Sequence, residues 1–236
     1  MKKTFRNLVI IAIVIVAGLI ILAVVWGQPK KKTTDASTNI LNVKDAQAQS
    51  YAVDKQPVLR KDDRIFGSKN APLKIFVYED YASSLSATLA ETLQKIQAES
   101  GDKVAVIVRP YVLKNSILSR RAAMAVDCAG EEGKWAEMRA ALFASAKQRS
   151  VTDDFSNYAG QIGLDEKKIT TCLTNEEKSG KIEQSAKESE DYKVQGAPTI
   201  FVGDEMIPGA RPYEDFVDSN GDKLEGLKTM IERKLK

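Results

Sequence analysis

Three serine hydroxyls cluster at the end of Leu73–Ser86, a stretch that reads as a buried strand, a short loop and the start of a helix: Ser83, Ser84 and Ser86, with Leu85 among them. A serine hydroxyl becomes a nucleophile when a neighbouring base takes its proton, most often histidine. The chain contains no histidine. That removes Ser–His and Cys–His pairs, imidazole metal sites and imidazole acid/base work. Cys128 and Cys172 lie far apart and form no C-x-x-C pattern, which argues against a zinc site or a local redox motif. Glu79 and Asp80 could be read as an acid pair beside the hydroxyls. Adjacent residues at a strand end diverge, so they read instead as solvated loop carboxylates. Ser83 reads most simply as a helix N-cap, its hydroxyl accepting from an exposed backbone N–H. No metal and no cofactor is expected.

The elements that must position these hydroxyls are legible. Leu73–Tyr78 and Val104–Val108 are short apolar runs rich in β-branched residues, as in strands covered on both faces. Between them Leu85, Leu89, Leu93 and Ile96 recur at helical spacing, giving a strand–helix–strand unit. A long helical region follows over about 116–193, in which Asp153 can cap one helix and Gly163 can end it. Trp135, Met138, Leu142 and Phe143 read as the core of that block, and the Lys/Glu-rich stretch Asn175–Lys193 as an exposed helix face. Thr199–Val202 and Glu205–Ile207 read as a hairpin around Gly203-Asp204. A last amphipathic helix uses Leu224, Leu227, Ile231 and Leu235. A hairpin adds an antiparallel strand, so the sheet should be mixed.

Leu8–Trp26 is an apolar run of 19 residues. As a helix it would extend about 28 Å, close to the hydrocarbon thickness of a bilayer. A secretory signal peptide has a shorter apolar region and a small-x-small cleavage site, and Ala-Val-Val-Trp-Gly-Gln offers none. The run therefore reads as an uncleaved anchor, with residues 1–7 as a short tail, cytoplasmic in the orientation argued below, and 27–61 as a polar linker, including one short helical piece around Thr38–Ala52. Lys2, Lys3 and Arg6 face Lys30, Lys31 and Lys32 across the run, so flanking charge does not set the orientation. The net charge of +3 is matched by Lys2, Lys3 and Arg6 alone, and nothing points to nucleic acid.

From Val58 to Lys236 the chain resembles the DsbA-like branch of the thioredoxin superfamily. The strings that carry the resemblance are Phe66-Gly67, Asn70-Ala71-Pro72, Glu79-Asp80-Tyr81, Cys128-Ala129-Gly130, Gly133-Lys134-Trp135, Gly163-Leu164-Asp165, Gly196-Ala197-Pro198-Thr199 and Pro208-Gly209-Ala210. The resemblance implies an α/β fold: a thioredoxin-like mixed sheet flanked by helices over 62–236, with an inserted helical domain, beyond an N-terminal transmembrane helix. It implies that Pro198 is cis and that Ala197 and Pro198 hold extended peptides. It also places the family's C-x-x-C cysteines at Ser83 and Ser86. A buried carboxylate, common in the family six positions before the first cysteine, would fall at Val77. Thiol–disulfide exchange needs a thiolate and a sulfur leaving group, which hydroxyls cannot supply. The site thus reads as degenerate over Ser83, Ser84, Leu85 and Ser86, with no catalytic residue.

Some DsbA-like proteins carry a second, structural disulfide in the helical domain. Cys128 and Cys172, both in apolar surroundings, are expected to form it; two buried free thiols and a functional redox pair are the other readings. A disulfide implies an oxidising compartment. With the resemblance, it orients the chain in the cell membrane as a single-pass protein with the carboxyl-terminal domain outside the cytoplasm. The expected function is a redox-inactive, chaperone-like binding or assembly module for exported or envelope proteins. The alternatives are the family's thiol–disulfide oxidoreductase activity and a structural scaffold.

Overall fold

The computed structural model describes residues 49–236. Among them no helix is long and apolar enough to cross a membrane. The expected anchor, Leu8–Trp26, lies outside the described residues, as does most of the short helix expected around Thr38–Ala52. The last two residues of that piece, Tyr51–Ala52, are a strand, β1.

Six strands form one mixed sheet: β1, β2 (Arg64–Phe66), β3 (Leu73–Glu79), β4 (Val104–Pro110), β5 (Thr199–Val202) and β6 (Glu205–Pro208). Their spatial order is β1-β6-β5-β3-β4-β2. Only β3 and β4 run parallel; the other pairs are antiparallel, as the hairpin requires. A separate hairpin joins β7 (Phe216–Val217) to β8 (Lys223–Leu224). Leu224 therefore belongs to a strand and not to the last helix.

Side chains alternate across the sheet with the two-residue period of a strand. Leu73, Ile75 and Val77 of β3 face one core together with Val104, Val106 and Val108 of β4. Phe76 and Tyr78 face the other, with Ala105, Ile107 and Phe201. Helix α1 (Ser84–Ser100) covers the first face through Leu89, Leu93 and Ile96. The carboxyl-terminal helix, α7 (Leu227–Lys234), adds Leu227, Met230 and Ile231 to the same core. Tyr192 and Val194 cover the second face.

Between β4 and β5 lie α2 (Ile117–Glu131), α3 (Trp135–Lys147), α4 (Phe155–Gln161), α5 (Glu166–Cys172) and α6 (Glu176–Asp191). Met138, Leu142 and Phe143 are buried there, with Trp135 packed against them. The expected cap of α4 moves by one residue: Asp154, not Asp153, accepts from the Asn157 N–H. Gly163, with φ of 71°, follows the end of α4, where a left-handed residue favours glycine.

The chain between β1 and β2 is docked on the sheet. Arg109 of β4 donates from Nε and Nη2 to the Asp63 carboxylate at 2.8 and 2.9 Å, and from Nη2 to the Val58 carbonyl at 2.6 Å. Residues 58–63 are thereby fixed to the sheet.

Candidate functional site

The loop from β3 into α1 is closed by its own hydrogen bonds. Ser83 N–H donates to the Asp80 carbonyl at 3.0 Å, and Ala82 N–H donates to Asp80 Oδ1 at 3.0 Å. Ser83 then caps α1, its hydroxyl accepting from Ser86 N–H at 3.3 Å. Ser86 is fully buried, and its Oγ accepts from the Asp80 N–H at 3.2 Å. The Ser83 and Ser86 hydroxyls are thus committed to backbone donors. Val77 is fully buried among apolar residues.

Across from this loop, the Ala197–Pro198 peptide bond is cis. Thr199 pairs with Tyr78 across β5 and β3, which brings Ala197 beside the start of α1. A cleft of about 470 Å³ opens there. Ser83, Ser84, Leu85 and Ala197 line it, while Pro198 is buried behind. Tyr111, Leu113, Leu118, Ala146, Arg149 and Val151 complete the walls. Sequence reading missed these six. They arrive from the exit of β4, the start of α2 and the end of α3, and no local pattern links them. A second depression of about 630 Å³ shares Tyr111 and Leu113 and continues toward α6 through Ser189, Glu190 and Lys193.

Glu79 and Asp80 are not solvated loop carboxylates. Glu79 shares the face of Val77 and is fully buried, where Arg139 of α3 meets it with two bonds of 2.7 and 2.6 Å. Asp80 is 8% exposed and lines the cleft. Burial pushes its pKa up, against the opposing pull of the Ala82 N–H and the Ser119 hydroxyl. Burial likewise pushes the Tyr78 hydroxyl up to about 12 on the opposite face of the sheet.

Cys128 and Cys172 are bonded to each other, with Cα atoms 6.0 Å apart, and join α2 to α5. Cys128 is buried, whereas Cys172 is partly exposed, against the expectation that both are buried. Neither is among the residues lining the cleft. Among the described residues no group of three or more Asp, Glu or Cys side chains is placed to hold a metal ion.

A mixed sheet whose central parallel pair brackets a helix, with a helical block inserted before an antiparallel hairpin, defines a thioredoxin-type domain. The family model described as thioredoxin matches residues 60–219, and the chain belongs to that family. Among solved structures, it is similar to a thioredoxin-like oxidoreductase from Silicibacter pomeroyi, at 19% identity over 74% of this chain and 92% of that one, TM-score 0.57. It is similar to a periplasmic thioredoxin-like protein from Salmonella enterica serovar Typhimurium, at 26% identity over 73% and 90%, TM-score 0.54. Wolbachia pipientis alpha-DsbA1 matches at 16% identity over 75% and 93%, TM-score 0.59. No curated protein sequence matches the chain.

Proposed function

We propose that this chain is a membrane-anchored, extracytoplasmic binding module, in which a thioredoxin-type cleft holds extended segments of exported or envelope proteins without exchanging disulfides. The observation that carries the reading is the pair Ser83 and Ser86. They occupy the amino end of α1 beside Ala197, and both hydroxyls accept from backbone N–H groups. A hydroxyl there can neither attack a disulfide nor leave as a thiolate does. The bonded cysteines lie elsewhere, in the helical block. The periplasmic location of the Salmonella relative and the apolar run Leu8–Trp26 support an anchored domain outside the cytoplasm.

The test is an insulin-reduction assay on the full chain in detergent micelles, run beside binding of labelled, unfolded peptides. No insulin turnover together with saturable peptide binding is expected. Turnover that disappears in Cys128→Ala would make the chain an oxidoreductase using its helical-block cysteines and overturn the proposal.

A further inference from the structure

Three carboxylates at or near the sheet are buried, and two have guanidinium partners. Asp63 is matched by Arg109 and Glu79 by Arg139, each through paired bonds. Asp80 differs. Its Oδ1 accepts from the neutral Ala82 N–H at 3.0 Å, and among the described residues no lysine or arginine forms an ion pair with it. The nearby Ser119 is fixed, because its Oγ accepts from the Leu113 N–H at 2.9 Å. An uncompensated carboxylate in apolar surroundings costs stability. This one is held in place, and it lines the cleft in which Leu85, Leu113, Leu118 and Val151 provide apolar wall. Arg149 also lines the cleft but is exposed, with its charge in solvent.

We infer that the cleft selects extended peptides carrying a lysine, whose ammonium pairs with Asp80 while its aliphatic stem lies along the leucine and valine wall. This rests on the peptide-binding reading above and names the side chain that cleft prefers. A four-carbon stem with a charged tip suits an apolar wall ending in a charge. Lysine fits better than arginine because Asp80 Oδ1 already accepts from the Ala82 N–H at 3.0 Å. What remains suits a point charge and not a two-pronged fork.

The experiment measures binding of three blocked peptides to the full chain in detergent micelles at neutral pH, by fluorescence anisotropy. The first is Ala-Leu-Lys-Leu-Ala; the others replace its lysine by norleucine, which keeps the stem without the charge, or by glutamate. The lysine peptide is expected to bind about tenfold more tightly than the norleucine peptide, and the glutamate peptide most weakly. Asp80→Asn should erase the lysine advantage, bringing the lysine and norleucine peptides to equal affinity. Equal wild-type affinity for the lysine and norleucine peptides overturns the inference and leaves the peptide-binding reading standing. A lysine advantage that survives in Asp80→Asn overturns it too. Failure of all three to bind overturns both. The wild-type comparison decides by itself if the variant does not fold.

Discussion

At the residue scale, the two neighbours Glu79 and Asp80 show how far identity underdetermines environment. Both are acids at the end of one strand, and nothing in the local sequence separates them. Alternation turns Glu79 toward α3 and Arg139, while Asp80 meets only neutral donors. Their burial was illegible because the groups that enclose them, Arg139 and Ser119, are tens of residues away in sequence. The capping role of Ser83 was legible, since it needs only a hydroxyl one residue before a helix. For Asp80 the consequence is a definite pH dependence. Its folded-state pKa is raised from 3.8 by burial, so the folded state holds the proton more tightly than the unfolded chain. The stabilisation this gives is complete below about pH 3.8 and is lost as pH rises through the folded value. Above the folded value the ionised carboxylate is therefore a cost. Asp80→Asn keeps an acceptor for Ala82 N–H and removes the charge. Its thermal midpoint should lie above wild type at neutral pH, with the advantage vanishing on acidification. A variant less stable at neutral pH would contradict this.

At the element scale, the strands and helices with strong periodicity were readable, and the short edge pieces were not. β3 and β4 declare themselves through unbroken apolar runs, and α1 through leucines at helical spacing. β1 and β2 have two and three residues, too few to show alternation, and exist because β6 and β4 offer them free edges. Leu224 fits the helical spacing of α7 but is captured by the β7–β8 hairpin, and Gly226 then begins the helix. The disulfide works at this scale. It closes a loop spanning 44 positions between α2 and α5. Removing it in Cys128→Ala/Cys172→Ala should lower stability by up to about 4 kcal/mol in the chain-entropy description. Equilibrium urea unfolding measures this directly. Peptide affinity should stay within about twofold of wild type, because neither cysteine lines the cleft.

At the scale of the whole molecule, the thioredoxin-type frame can be tested for exchange chemistry by placing sulfur at the amino end of α1. Fold and chemistry come from different parts of the sequence here. The sheet, the inserted helices and the Ala197–Pro198 turn depend on apolar pattern and loop residues. Exchange would depend on two side chains alone. Ser83 and Ser86 are three apart at the first turn of α1, a separation at which side chains meet on one helix face. Cysteine at the cap would place its sulfur at a helix amino terminus, where exposed N–H groups stabilise a thiolate. Ser83→Cys/Ser86→Cys is therefore expected to form an internal disulfide and to reduce insulin in the presence of dithiothreitol, with wild type inactive under the same conditions. Turnover should be modest, because the buried Val77 provides no carboxylate to move a proton from the inner sulfur. Adding Val77→Glu should then raise turnover above the double variant. If the disulfide forms but no turnover appears in either background, two thiols at the start of α1 are not enough for exchange in this frame. The cleft walls around Leu113 and Val151 would then have departed from what exchange requires.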